Sequence, residues 1–185
     1  MAAIPDGARR RLLRYSAHVA AVGGLALLGG PARASTARAR SVSMVHTHTG
    51  ERIDLTYAVD AQYVPAAMAA LNRFLRDHYT GIVGTIDPQV LDQLYSAQQL
   101  LGSRRAFEVI SGYRCPATND HLRAVRGGGV ARDSLHMQGR AIDVRLPGVA
   151  LTDLRDAALS LRGGGVGFYP REQFVHLDTG RVRSW

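Results

Sequence analysis

The sequence contains no lysine, and all 23 of its basic residues are arginine. A guanidinium stays protonated at physiological pH, so the formal net charge of +8 cannot be shed by titration. There is one cysteine, Cys115, which excludes an internal disulfide and a cysteine-built zinc cluster. Any metal must then be held by histidine and carboxylate. Cys115 stands before Pro116 with no paired base beside it, which argues against a thiol nucleophile. Aromatic residues make up 6%, and no basic stretch is interleaved with them. The positive charge therefore does not point to nucleic acid. No apolar run reaches the ~20 residues that a stable membrane span needs.

What is present is a globular composition, 46% hydrophobic and 21% charged, in 185 residues. That is enough for one domain with a real core. The charge is uneven. Residues 1–34 carry five arginines and one acid, Asp6, which leaves a net +4 on the rest. Arg9-Arg10-Arg11, an apolar run from Val19 to Gly30, and Pro31-Ala32-Arg33-Ala34-Ser35 have the layout of an export signal, with cleavage expected after Ala34. The paired arginines are similar to those of a twin-arginine signal, which implies a periplasmic product with no membrane span. Residues 35–41 read as a flexible lead-in, and 42–185 as a single domain.

Within that domain, 43–48 and 52–59 read as strands joined at Thr49-Gly50-Glu51. His46 and His48 are expected on one exposed strand face. Apolar spacing predicts a helix from Pro65 to Asp77 and a second from Pro88, capped by Asp87 and ended by Gly102. A strand over 106–110 leads into Ser111-Gly112-Tyr113-Arg114, where an arginine on a loop is anchored by a rigid element. A helix over 117–126 stops at three glycines, 127–129, read as a flexible rim. A strand over 141–144, a helix over 151–161 and a strand pair over 166–170 and 173–179 complete the chain. The pattern predicts an α+β domain, a small mainly antiparallel sheet with helices on one face.

Ser134-Leu135-His136-Met137-Gln138-Gly139-Arg140-Ala141-Ile142-Asp143 carries the chemistry. Gly139 permits a turn, and the strand beyond it places Ile142 and Val144 on one face and Ala141 and Asp143 on the other. A turn folding Asp143 towards His136 supplies one nitrogen and one oxygen ligand. A catalytic zinc needs a third ligand and keeps a place for water. His176, in Phe174-Val175-His176-Leu177-Asp178, is available. Spacing alone equally allows a hydrogen-bonded capping pair.

Ser-x-His-x-x-Gly-x-Ala-x-Asp at 134–143 resembles the signature of zinc D-Ala-D-Ala metallopeptidases and murein endopeptidases. Ser111-Gly112-Tyr113-Arg114, Pro116-Ala117-Thr118-Asn119 and Phe174-Val175-His176-Leu177-Asp178-Thr179-Gly180 extend the likeness in the same order. His46-Thr47-His48-Thr49-Gly50-Glu51 and Arg181-Val182-Arg183-Ser184-Trp185 resemble the MepK-like branch. The resemblance implies a hedgehog/D-Ala-D-Ala peptidase-like fold with its site at the sheet. It implies one zinc per chain on His136, Asp143 and His176, with Arg114 anchoring substrate or stabilising the transition state. Many relatives carry an acid or histidine as general base where Gln173 and Phe174 stand here. Asp178 is then the nearest acid, either as base or as the partner that orients a ligand. The implied activity is cleavage of peptide cross-links in peptidoglycan by a monomer. A carboxypeptidase or dipeptidase would keep the same ligands, and a non-catalytic wall-binding module would suit the missing acid.

Overall fold

The computed structural model describes residues 38–126 and 129–185. The export signal expected over 1–34 lies outside the described residues, as do two of the three rim glycines, 127 and 128. The elements are β1 (Ala39–His46), β2 (Arg52–Val59), β3 (Gln62–Tyr63), α1 (Pro65–Phe74), α2 (Pro88–Leu100), β4 (Phe107–Ser111) and α3 (Pro116–Arg126). A short 3-10 helix (Leu135–Gln138) follows, then β5 (Ala141–Arg145), α4 (Leu151–Leu161), β6 (Gly165–Tyr169), β7 (Phe174–Asp178) and β8 (Arg183–Ser184).

The strands form one sheet in the order β3-β2-β1-β4-β5-β7-β6-β8. Its neighbours run antiparallel, except β1 with β4 and β6 with β8, which are parallel. The expected α+β class with a mainly antiparallel sheet is what the chain forms. β3 and β8 were not legible because two residues are too short to show alternation.

Strand alternation sorts the side chains. Val42 and Met44 of β1, Val109 of β4, Ile142 and Val144 of β5, and Val175 and Leu177 of β7 enter the core. They meet Leu71 and Phe74 of α1, Leu91 and Leu94 of α2, and Leu154 of α4. Pro65 opens α1, where its missing N–H costs nothing. The Asp87 carboxylate caps α2 by accepting from the Gln89 N–H at 3.0 Å. Three helices thus form the layer expected on one face. α3 gives the core cluster no residue and adjoins the loop of Arg114 instead.

One polar link ties α2 to the backbone at the end of β7. The buried Gln93 amide donates to the Gly163 carbonyl at 3.1 Å and to the Asp178 carbonyl at 3.0 Å. It thereby fixes the backbone at the end of β7.

Three local expectations change. The lead-in over 35–41 is shorter than its composition suggested, because Ala39, Arg40 and Ser41 already pair in β1. Arg40 binds Asp92 at 2.6 Å and Ser41 shares a hydroxyl contact with Thr56 at 2.8 Å, which hold this segment down. The helix expected to reach Asp77 stops at Phe74. Asp77 is buried, and its carboxylate accepts from the N–H groups of Tyr79, Thr80 and Cys115 at 2.9, 3.2 and 2.8 Å. Those bonds organise a turn that competes with helix continuation. Finally, His46 is fully buried rather than on an exposed strand face, and His48 lies in the following turn. His46 packs against Phe74 and His78, with ring centroids 6.0 and 5.4 Å away. Burial holds the His46 imidazole down to about 4, with the nearby His48 charge adding to the shift.

Candidate metal centre

The face of the sheet opposite the helices carries a polar cluster. β5 and β7 pair with Asp143 directly opposite His176 and Ala141 opposite Asp178. Because alternation sends Ile142, Val144, Val175 and Leu177 into the core, Asp143, His176 and Asp178 must emerge together on the other side. The small Ala141 leaves space between the two carboxylates. His136 arrives from the 3-10 helix, which ends at Gly139 in the left-handed conformation, φ 66°. A Cβ there would run into the Thr85 carbonyl oxygen and come within 2.8 Å of its carbon. Glycine is therefore what lets the chain turn from His136 into β5.

The three predicted ligands converge. His136 Nε2 lies 3.2 Å from His176 Nδ1 and 3.3 Å from Asp143 Oδ2. His176 Nδ1 lies 2.8 Å from Asp143 Oδ1. All three residues are buried, and one ligand atom from each lies within 4.8 Å of the others.

The far edges of the rings decide what those near edges can do. His136 Nδ1 is 2.7 Å from the Gly112 carbonyl, which can only accept, so Nδ1 carries the hydrogen. His176 Nε2 is 3.2 Å from Asp178 Oδ2, again an acceptor, so in the neutral ring Nε2 carries it. Both remaining nitrogens then present lone pairs to the Asp143 carboxylate. Three acceptors facing one point need a cation between them, either a proton or a metal ion. Without a metal, a proton takes the place. Burial opposes charge on His176, but the bonds to Asp143 and Asp178 raise its pKa to about 9. His136 is lowered by burial, partly offset by Asp143. Burial would raise Asp143, but His136 and His176 hold it well below the usual carboxylate range.

Asp178 stands behind His176, on the side away from His136 and Asp143. It is fully buried, and its oxygens accept from the backbone N–H groups of Gly165 at 3.0 Å and Gly180 at 2.8 Å. Arg183 adds a two-pronged pair at 3.1 and 2.7 Å.

Arg114 stands beside the cluster, its guanidinium 3.9 Å from Asp143 Oδ2 and within bonding reach of Asn119 and Ser111. The Arg114 N–H donates to the His136 carbonyl at 3.1 Å, which ties this loop to the 3-10 helix. Cys115 is buried, with its thiol 3.4 Å from the Thr118 hydroxyl.

Arg114, His136, Asp143, His176, Asp178 and Arg183 line a cavity of about 650 Å³. Tyr169, Phe174 and Trp185 form its aromatic wall. Trp185 leans over His176 with ring centroids 5.3 Å apart and donates to the Tyr169 hydroxyl at 2.8 Å. It fits because Gly167 faces His176 across β6 and β7, and a Cβ there would meet the indole at 2.7 Å.

A family model described as "Peptidoglycan L,D-endopeptidase MepK" matches residues 34–185. The chain belongs to this family. Among curated members of the MepK family, the protein named peptidoglycan L,D-endopeptidase MepK of Escherichia coli (strain K12) is 46% identical over 186 residues. That alignment covers 97% of this chain and 98% of the relative. The Shigella flexneri protein of the same name gives the same figures. A Haemophilus influenzae protein named probable peptidoglycan L,D-endopeptidase MepK is 41% identical over 155 residues, 83% of each chain. No solved structure matches the chain significantly.

Sequence reasoning located the three converging residues and Arg114, but it missed several neighbours. The Gly112 carbonyl leaves no side-chain signal. Arg183 and Trp185 stand in the terminal motif, and nothing local there marks their contacts with Asp178 and His176. Glu172, one position before Gln173, lines the cavity. Gln173 adopts a left-handed turn, φ 59°, and its side chain donates to the Pro170 carbonyl rather than entering the cavity.

Proposed function

We propose that this chain is a zinc-dependent murein endopeptidase that cuts peptide cross-links between stem peptides of peptidoglycan. The observation that carries the reading is the convergence of two imidazole lone pairs and one carboxylate at the edge of a large cavity. The curated relatives named above as peptidoglycan L,D-endopeptidases supply the substrate class. The donor set suits zinc, which takes nitrogen and oxygen ligands and in catalytic sites uses three protein ligands. His136 Nε2, His176 Nδ1 and an oxygen of Asp143 would hold the ion. When bound, zinc lowers the pKa of its water to about 7 and polarises a carbonyl oxygen.

The chain's own groups do the rest. Gly112 and Asp178 fix the two rings in the tautomers that ligation requires. With four donors besides His176 already on its oxygens, Asp178 acts as the orienting carboxylate and not as the proton acceptor. Arg114 offers a guanidinium to a substrate carboxylate, or to the peptide oxygen as it gains charge. Trp185, Tyr169 and Phe174 shield one side of the reacting bond from water.

Export fits the substrate. The twin-arginine segment directs the folded chain to the periplasm, cleavage after Ala34 releases it, and the monomer meets the wall there. Among the described residues, no helix is long and apolar enough to cross a membrane.

The test is metal analysis of the mature protein followed by digestion of purified sacculi. One zinc per chain and loss of cross-linked dimers are expected. Release of free D-Ala would assign a carboxypeptidase instead, and wall binding without products would leave a non-catalytic module.

A further inference from the structure

A second cavity, of about 220 Å³, joins the first at the metal cluster. Arg114, Asp143, Glu172 and Phe174 line both. The second is lined in addition by Tyr79, His48 and His78 and by Ile110 and Leu122, none of which lines the first. We propose that this second cavity binds the other peptide arm of a cross-linked substrate, a short chain with an aliphatic stem and a carboxylate. The inference rests on the endopeptidase reading and deepens it.

Position is the first argument. A bond cut beside Asp143 sits where the two cavities meet, so the substrate must extend from it in both directions. An enzyme that removes one terminal alanine needs room for one small residue on the leaving side. The second cavity offers more than that, and its rim is open, since Tyr79 is 56% exposed.

Chemistry is the second argument. The His48 and His78 rings stack face to face, with centroids 4.1 Å apart and planes 1° from parallel. Tyr79 leans on His78 at 4.3 Å. Burial holds the His78 imidazole down to about 4, so this ring is neutral at physiological pH. The nearby carboxylate of Asp77 is taken up by three backbone N–H groups. The cavity therefore has a flat, polarisable wall, aliphatic patches from Ile110 and Leu122, and the Arg114 guanidinium at its inner end. An aliphatic stem would lie along the first two, and a carboxylate would be drawn towards the third.

The test uses the zinc-loaded enzyme and two substrates, a cross-linked muropeptide dimer and a synthetic peptide with the same bond and this arm cut back to one residue. Tyr79→Ala and His48→Ala remove rim side chains outside the core and outside the metal cluster. For the double variant, KM for the dimer should rise about tenfold with kcat within about twofold, and the truncated peptide should be cut as before. Unchanged KM for the dimer, or equal effects on both substrates, would overturn the inference while leaving the endopeptidase reading standing. If the wild-type enzyme cuts neither, that reading fails, and calorimetric binding of the dimer decides this one. Weaker binding by the double variant than by wild type supports the second arm site; equal or absent binding by both rejects it.

Discussion

His176 faces two carboxylates at once, Asp143 2.8 Å from Nδ1 and Asp178 3.2 Å from Nε2. One of these nitrogens can ligate a metal only if the other keeps its proton, and Asp178 sets which.

Replacing Asp178 with Asn should therefore weaken metal binding without removing a ligand. A drop of roughly 10–100-fold in zinc affinity is expected, by the usual worth of such orienting groups. Competition with a chromophoric chelator measures it. Unchanged affinity would mean that Gly165, Gly180 and Arg183 hold the loop and the histidine needs no help.

Zinc binding should release about one proton at pH 7. The metal-free His176 titrates at about 9, so at pH 7 it carries a proton that the metal must displace. Release should fade as the pH approaches 9 and His176 loses its proton beforehand. Calorimetry in buffers of different ionisation enthalpy counts the proton directly.

Acid should destabilise the metal-free fold between about pH 6.5 and 4. His46 and His78 are held down to about 4 by burial, so the unfolded chain takes up their protons first as pH falls. Their contribution is complete above 6.5 and disappears as the pH falls to 4. His136 acts in the same direction. His176, raised to about 9, contributes fully throughout this window, and Asp143 and Asp178 lose their contributions only at still lower pH. Urea midpoints at pH 7 and 5 test this, and His78→Phe should flatten the difference.

Gly139→Ala should cost roughly 1–3 kcal/mol, because its Cβ meets the Thr85 carbonyl and its φ is left-handed. Denaturant unfolding gives the cost. Zinc affinity should fall with it, since the same turn aims His136.

The legible part of this molecule was the part written in periodic or local signals. Alternation separates Asp143 from Ile142 and Val144 and puts His176 and Asp178 on one face of their strand; that the two strands pair with Asp143 opposite His176 is seen only in the fold. Asp87 and Pro88 marked the start of α2, and the apolar spacing of Leu91 and Leu94 its course. What stayed hidden depends on partners distant along the chain. Nothing near His46 marks it as buried, because its cover comes from Phe74 and His78. Asp77 looked like a helix residue because its three backbone donors include Cys115, 38 positions away. Spacing to His176 left the role of Asp178 open between base and orienting group, because the donors to its oxygens, Gly165 and Arg183, come from other segments.

The Gln93 amide gives the helix layer a handle on the chemistry. It grips the Asp178 backbone from beneath the sheet, so a disturbance that shifts α2 is transmitted to the carboxylate steering His176. With zinc held by His136, Asp143 and His176 as proposed, variants on the remote surface of that helix should lower zinc occupancy although all three ligands stay unchanged.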